Sequence, residues 1–258
     1  MSKRSIFDLT GKVALITGGN GGIGLAMGEA LAEAGAAVCV WGMKEHKNAA
    51  AAERLKKISD RTMVMRVDVS DEEATEKAFA ATVEAFGRVD AFFANAGVTG
   101  QGVTSFMDMS TAEWRRVLSV NLDGAFFGLR AAARHMAKLG DGGVLVGVSS
   151  FAAVSGQPRG EHYAATKGGL VSVMKSLAVE MARYHVRAHA ILPAWIVTDL
   201  TEETLNDEKF RAKVMPREPM RRWGQPEDFG GLAVYLVSDS SGFHTGDTFI
   251  IDGGYSLF

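Results

Sequence analysis

Seven short apolar runs recur along the chain, and most of them are followed by a longer stretch with apolar residues at helical spacing. Few of the runs alternate apolar and polar residues, which is typical of strands buried on both faces of a sheet. They cover residues 13–16, 37–41, 63–67, 91–94, 144–148, 189–192 and 248–251. The helical stretches cover residues 23–34, 72–86, 113–139, 163–184 and 226–238.

This alternation of strand and helix predicts the fold class. It favours a parallel sheet with helices on both faces, which is an α/β fold with a Rossmann-type doubly wound parallel sheet. The chain has 258 residues and 47% of them are hydrophobic, enough to bury one sizeable core. No repeat or linker interrupts the sequence, so we expect residues 1–258 to form a single domain.

One segment, residues 198–224, breaks this rhythm. It is charged, contains Pro216 and Pro219, and follows the end of a predicted strand. Open α/β sheets bind ligands beyond the carboxyl ends of their strands. We therefore expect a lid insertion at about residues 198–224 that covers a pocket there, with a static pair of surface helices as the alternative.

Charge and composition limit the classes of partner. The chain has 28 Lys and Arg residues against 30 Asp and Glu residues, so we expect a small-molecule ligand, with no nucleic acid and no membrane partner. The only cysteine, Cys39, lies in an apolar run, and no disulfide within the chain is possible. No apolar run is long enough to span a bilayer, and the first ten residues lack an apolar signal region. We expect a cytoplasmic protein.

Acidic residues cluster in the predicted lid without His or Cys at metal-ligand spacing. A solvated face therefore explains them better than a metal site, and we expect no metal. They are Asp199, Glu202, Glu203, Asp207 and Glu208.

A glycine-rich turn lies between the first predicted strand and the following helix, and reads TGGNGGIG over residues 17–24. Glycine permits a tight turn and lets backbone N–H groups approach a pyrophosphate at the positive end of that helix. A glycine cluster alone also fits a flexible turn, but its position between strand and helix favours dinucleotide binding. The residues expected to bind the cofactor are Gly18, Asn20, Gly22, Ile23 and Gly24.

The end of the second strand commonly decides between NAD and NADP, because an acid there hydrogen-bonds the ribose of NAD and repels the phosphate of NADP. Gly42 holds that position, Met43 follows, and the nearest charges are Lys44 and Lys47. The lysines fit a 2′-phosphate, although lysines that open a helix are often only solvated. We expect Gly42, Met43 and Lys44 near NAD or NADP, and the missing acid favours NADP.

Three residues predict acid–base chemistry. Ser150 ends the fifth predicted strand, and Tyr163 lies four residues before Lys167. That spacing places both side chains on one helix face. A nearby cation would lower the phenol pKa from about 10 towards neutrality, where it works as acid or base. Ser150 would hold and polarise a substrate oxygen; the alternative is an unrelated surface pair and a strand-end serine.

With these residues in place, the whole chain resembles the short-chain dehydrogenases/reductases. The matching motifs are residues 17–24, Asp68 with Val69, residues 95–97, Asn121, Ser150, Tyr163 with Lys167, residues 193–198, residues 245–246 and residues 252–254. The resemblance implies a nicotinamide cofactor and a homotetramer. In that tetramer the helices at 113–139 and 163–184 would contact symmetry mates, and the C-terminal strand would form a second interface.

The resemblance also implies roles for single residues. Asp68 and Val69 would contact the adenine, and Asn95 would lie beside the adenine ribose. Ile196 and Thr198 would hold the carboxamide, and Lys167 would bond the nicotinamide ribose. Asn121 would fix a water that links Lys167 to solvent. The other cofactor positions are Ala96, Gly97, Tyr163 and Pro193, and the substrate positions are Ser150, Phe151, Val154, Gln157, Tyr163 and Trp195.

These features predict an NAD(P)(H)-dependent oxidoreductase that interconverts a secondary alcohol and a ketone, with Tyr163 as general acid and base. The apolar and aromatic substrate positions favour a medium-sized, fairly apolar molecule, and a sugar or a 3-oxoacyl thioester is the alternative substrate class. The alternative function is a dinucleotide-binding regulatory or scaffold protein without turnover. The complete set of Asn121, Ser150, Tyr163 and Lys167 favours the enzyme.

Overall fold

Seven parallel strands form the centre of the computed structural model, which describes residues 5–257. The strands are β1 (Val13–Thr17), β2 (Ala37–Gly42), β3 (Thr62–Arg66), β4 (Ala91–Ala94), β5 (Gly143–Val148), β6 (Val186–Pro193) and β7 (Thr248–Ile251). Their order in the sheet is β3-β2-β1-β4-β5-β6-β7. The order reverses between β1 and β4, and this is where an open α/β sheet offers a crevice for ligands. The predicted fold class is confirmed.

Helices cover both faces of the sheet. They are α1 (Gly22–Glu33), α2 (Glu45–Lys56), α3 (Glu72–Phe86), α4 (Thr111–Leu118), α5 (Gly124–Leu139), α6 (Glu161–Glu180), α7 (Glu202–Asn206), α8 (Glu208–Val214) and α9 (Gly230–Val237). Alternate strand residues bury opposite sides: Leu15 and Phe92 face the layer of α3, α5 and α6, whereas Ile16 faces the layer of α1, α2 and α9. This two-sided burial explains why the strands read as unbroken apolar runs.

Three helices differ in detail from the sequence prediction. The helix expected over residues 113–139 contains a π-helical turn, Ser119–Asp123, between α4 and α5. The helix expected over 163–184 begins at Glu161 and ends in the 3-10 turn Met181–Tyr184. The last one opens with the 3-10 turn Pro226–Phe229, because proline suits the first turn of a helix but cannot donate within one.

The insertion at 198–224 contains two short helices, α7 and α8, and its base is closed. Gly224 donates to the Trp195 carbonyl at 2.9 Å, and Val197 donates to the Gly224 carbonyl at 2.9 Å. Leu205 and Val214 are buried beneath the segment. The two ends of the insertion therefore lie together, beside the end of β6.

Within residues 5–257 no helix is long and apolar enough to cross a membrane. In the same range no three His, Cys, Asp or Glu side chains converge as metal ligands would.

Candidate active site

A cleft of about 270 Å³ lies at the carboxyl ends of β1, β4, β5 and β6, where the strand order reverses. The predicted site residues that line it are Gly18, Asn20, Gly22, Ile23, Gly24, Asn95, Ala96, Gly97, Ser150, Tyr163, Lys167, Pro193, Ile196 and Thr198. The predicted residues that do not line it are Gly42, Met43, Lys44, Asp68, Val69, Asn121, Phe151, Val154, Gln157 and Trp195. The cleft therefore brings together the glycine-rich turn and the Ser, Tyr and Lys side chains.

The glycines on one wall of the cleft are required by its shape. Gly18 and Gly22 have φ angles of 62° and 51°, in the region that favours glycine. A Cβ atom at Gly24 would lie 2.5 Å from Nδ2 of Asn95. Helix α1 begins at Gly22 and has no acidic residue in its first turn, so its positive end is not neutralised. This cradle fits the pyrophosphate of a dinucleotide.

Thr17 and Asn95 connect the glycine-rich turn to β4. Nδ2 of Asn95 donates to the carbonyls of Thr17 at 2.9 Å and Gly18 at 3.1 Å. Oγ1 of Thr17 accepts from the backbone N–H groups of Asn95 and Ala96, both at 3.0 Å. The amide nitrogen of Asn95 is thus engaged within the protein. The sequence predicts no role for the Thr17 side chain, because nothing in it places that side chain beside β4.

Side-chain amides fill the position where an acid would select NAD. Nδ2 of Asn48 donates to the Gly42 carbonyl at 2.9 Å, and Nδ2 of Asn20 donates to Oδ1 of Asn48 at 2.7 Å. A Cβ atom at Gly42 would lie 2.1 Å from Nδ2 of Asn20, so an acidic side chain there would have to displace the Asn20 amide. Lys44 is exposed outside the cleft, whereas Lys47 lines it.

The residues predicted to contact the adenine follow β3. Asp68 is exposed, and its Oδ1 accepts from the backbone N–H of Ser70 at 3.0 Å and from its hydroxyl at 2.6 Å. Val69 is buried, and its carbonyl would lie 2.8 Å from a Cβ atom at Gly124. Both positions are ordered by contacts within the protein, and their contact with adenine stays a prediction.

Tyr163 and Lys167 lie close together on α6, as their spacing predicts. Nζ of Lys167 is 5.5 Å from the centre of the Tyr163 ring and donates to the Val148 carbonyl at 2.8 Å. Ser150 hydrogen-bonds the Tyr163 hydroxyl. The neighbouring Ser149 donates to the Lys167 carbonyl at 2.7 Å and so fixes α6 to the end of β5, a role that the sequence analysis missed.

Burial controls the ionisation of this pair. It raises the pKa of Tyr163 above the usual value for tyrosine, and the hydrogen bond with Ser150 opposes this only in part. Burial also lowers the pKa of Lys167 to about 8. The expectation that the lysine would lower the phenol pKa is wrong for this structure, because desolvation of the phenolate outweighs the other influences on it.

Asn121 lies in the π-helical turn and is 1% exposed. Its Oδ1 accepts from the Val98 N–H at 2.8 Å, and its Nδ2 donates to the Val98 carbonyl at 2.9 Å and to Oγ1 of Thr166 at 3.3 Å. Both amide hydrogens are therefore engaged, and the side chain fixes the loop after β4. Gly97 separates it from the lysine: a Cβ atom there would lie 3.4 Å from Oδ1 of Asn121 and 3.5 Å from Nζ of Lys167. The water relay stays a prediction.

The predicted substrate residues form two groups. The rings of Phe151 and Trp195 have centres 5.7 and 6.2 Å from that of Tyr255, and Phe210 of α8 is 4.9 Å from Trp195. These four residues form an aromatic wall. Tyr255 and Phe210 come from the C-terminus and the insertion, so no local sequence signal identified them. Val154 and Gln157 are exposed on the chain that follows Ser150.

Comparison with known proteins agrees with this geometry. A family model described as enoyl-(acyl carrier protein) reductase matches residues 18–256. The L-rhamnose-1-dehydrogenase of Scheffersomyces stipitis is 38% identical over 250 residues, which cover 95% of this chain and 96% of that protein. This chain belongs to the short-chain dehydrogenase/reductase family.

Other members of the family match over the same extent. The NADP-dependent (R)-specific alcohol dehydrogenase of Lentilactobacillus kefiri is 39% identical over 253 residues, 96% of this chain and 98% of that protein. A crystal structure of a short-chain type dehydrogenase/reductase from Mycobacterium marinum has a TM-score of 0.92 at 32% identity and covers 98% of both chains. The resemblance found in the sequence is confirmed, and the matched region contains Ser150, Tyr163 and Lys167.

The buried lysine predicts a pH-dependent difference in stability between Lys167→Met and the wild-type protein. Folding lowers the Lys167 pKa from 10.5 to about 8, so between these values only the unfolded chain holds the proton, and the wild type gains stability as pH rises. Below pH 8 Lys167 is charged in the folded protein as well, so the full free-energy cost of burying the ammonium is present. We expect Lys167→Met to be more stable at pH 7 by about 2 kcal/mol, after subtracting its lost hydrogen bond.

Urea unfolding at pH 7 and pH 10 measures this difference, which should shrink at the higher pH. Lys175→Met is the matched control, because Lys175 is exposed on the same helix and should change stability little at either pH. A Lys167→Met protein less stable than wild type at pH 7 would contradict the prediction.

Proposed function

We propose that this protein is an NAD(P)(H)-dependent oxidoreductase that interconverts a secondary alcohol and a ketone at the cleft between β1 and β4. The observation that carries the proposal is the arrangement of Ser150, Tyr163 and Lys167 in the same cleft as the glycine cradle. A bound nicotinamide supplies or accepts the hydride. The protein must then bind the substrate oxygen and move one proton to or from it.

Tyr163 is the group that exchanges this proton. Its raised pKa keeps the phenol protonated at neutral pH, and a protonated phenol donates to the oxygen of a ketone during reduction. Ser150 already hydrogen-bonds the phenol, and its hydroxyl can also bond the substrate oxygen. Lys167 lies beneath the ring and holds a position from which its charge would stabilise a phenolate during alcohol oxidation. Asn121 supports this set by fixing the loop next to the lysine.

The cofactor is NAD or NADP, and the second-strand position favours NADP. Gly42 places no acid where one would repel a 2′-phosphate, and Lys47 brings a positive charge to the cleft. The alcohol dehydrogenase relative from Lentilactobacillus kefiri is named as NADP-dependent, which supports the same preference.

The aromatic wall does not line the cleft itself, but Phe151 follows the cleft residue Ser150 and Trp195 precedes the cleft residue Ile196. Aromatic surface next to the cleft favours a medium-sized, fairly apolar or cyclic substrate. The alternative substrate class is a sugar, which flat aromatic faces also accommodate and which the rhamnose dehydrogenase relative acts on by its name. A 3-oxoacyl thioester is the other alternative. We place the protein in the cytoplasm, since its single cysteine, Cys39, allows no disulfide within the chain.

Removal of the Tyr163 hydroxyl should separate binding from turnover. We expect Tyr163→Phe to lower kcat by about 10²–10⁴-fold, because proton transfer is lost. Binding of NADPH or NADH, followed by nicotinamide fluorescence, should be retained. Assays with cyclic and open-chain alcohols and ketones, sugars and a 3-oxoacyl thioester, with both cofactors, measure activity and substrate class together.

Tyr184→Phe is the control, because Tyr184 lies in the 3-10 turn after α6 and outside the cleft. Turnover of Tyr163→Phe equal to wild type would refute the mechanism. Cofactor binding without turnover of any compound by the wild type would favour the regulatory or scaffold function. Activity restricted to the thioester would refute the preference for a small molecule.

The insertion at 198–224 is proposed to act as a mobile lid. It starts after Thr198, which lines the cleft, and the helices α7 and α8 bury little apart from Leu205 and Val214. We expect cofactor to increase the protection of residues 201–214 from hydrogen exchange, whereas the core strand β1 should not change. High protection of 201–214 that is the same with and without cofactor would favour the static alternative.

A homotetramer is proposed as the functional assembly. Phe126 on α5 and Val179 on α6 are 47% and 82% exposed, and β7 is an edge strand with Ile250 partly exposed, so apolar surface lies at both predicted interfaces. Light scattering at micromolar concentration should give about four times the chain mass of 27.5 kDa. A mass equal to one chain would refute the assembly.

A further inference from the structure

An ion pair joins the two sides of the cleft at its mouth. The ammonium of Lys47, on α2, contacts the carboxylate of Asp199, the second residue of the insertion at 198–224. Both residues line the cleft, and their side chains are 28% and 73% exposed. The pair therefore spans the space between the end of β2 and the chain that follows β6.

The backbone beside Lys47 is fixed to the glycine-rich turn. The next residue, Asn48, donates to the Gly42 carbonyl and accepts from Asn20, at 2.9 and 2.7 Å. The backbone of Lys47 thus lies near Gly42, the position expected to discriminate NAD from NADP. Its long side chain extends from there to Asp199 of the insertion. Its charge is near the expected phosphates, but its ammonium already contacts a carboxylate of the protein.

The backbone around Asp199 is fixed as well. Oγ1 of Thr201 accepts from the Thr198 N–H at 3.1 Å and donates to the Ile196 carbonyl. On the opposite side of the cleft, a Cβ atom at Gly22 would lie 3.1 Å from Cγ2 of Thr198. Asp199 therefore follows a residue that touches the first turn of α1, the helix end expected to receive the pyrophosphate.

A carboxylate at this place opposes the binding of an anion. Its charge repels a phosphate at the cleft mouth, and it also pairs with the lysine that lines this mouth. Lysine bonds a phosphate through strong charge-assisted hydrogen bonds, and a 2′-phosphate monoester carries more charge than a carboxylate. An exposed lysine–aspartate pair is weak by comparison, so it can be exchanged at small cost.

We propose that Lys47 exchanges Asp199 for a phosphate of the dinucleotide when the cofactor binds. This inference rests on the proposed function. Asp199 is then a competitor that lowers cofactor affinity. The phosphate is either the 2′-phosphate of NADP(H) or the pyrophosphate that both cofactors carry, and comparison of NADPH with NADH distinguishes these sources.

The two members of the pair should change cofactor affinity in opposite directions. Titrations of the full-length protein with NADPH and with NADH, followed by nicotinamide fluorescence, give Kd for the wild type, Asp199→Asn and Lys47→Met. We expect Asp199→Asn to tighten NADPH binding by about 3–10-fold and Lys47→Met to weaken it by about 10-fold. A loss in Lys47→Met confined to NADPH identifies the 2′-phosphate, and an equal loss with NADH identifies the pyrophosphate.

Two control variants each remove a charge of the same sign from a residue outside the cleft. Glu203→Gln lies in the same insertion and Lys56→Met at the far end of α2, and both are exposed, so each should leave Kd within about twofold of wild type. Circular dichroism and thermal unfolding verify that every variant is folded. Asp199→Asn with affinity equal to or weaker than wild type would overturn the exchange, as would Lys47→Met with unchanged affinity for both cofactors. A wild-type protein that binds neither cofactor would instead overturn the proposed function itself.

Discussion

The contact between the ends of β1 and β4 is the constraint on which the site depends. Thr17 and Asn95 exchange four hydrogen bonds with the backbone across the point where the strand order reverses. This close approach is possible only because Gly18 and Gly24 have no side chains: a Cβ atom at either would lie within 3 Å of the loop after β4 or the Asn95 amide. The same missing side chains expose the backbone N–H groups that make the cradle. One steric condition therefore produces both the tight packing and the anion site.

The repeating pattern of strands and helices was predictable because burial on both faces leaves a strong signal in a strand. Leu15 and Ile16 belong to opposite cores, and a run with no polar residue is the direct consequence. The helix spacing of Tyr163 and Lys167 was predictable for a similar reason, since positions four apart share a helix face. The π-helical turn was not predictable, because it depends on the contact of Asn121 with Val98, which lies in a separate segment of the chain.

Two features of the site have no local signal at all. The aromatic wall joins Phe151 and Trp195 to Tyr255 near the C-terminus, so it exists only after the insertion and the C-terminal segment have folded onto the ends of β5 and β6. The second feature is the direction in which the pKa of Tyr163 is shifted. Proximity to a lysine suggested a lowered value, but the effect of burial depends on the whole surrounding volume, which spacing along a helix does not report.

Lys167 shows that the site retains a residue whose burial destabilises the folded protein. The residue is 4% exposed, its ammonium bonds a backbone carbonyl, and burial alone accounts for the fall in its pKa. A residue that served only packing would not need to carry a charge into this environment, since a methionine of similar length fills the space without desolvation. A buried charge that breaks the ordinary rules of stability thus lies where the chemistry is proposed, and this coincidence supports the assignment of the cleft.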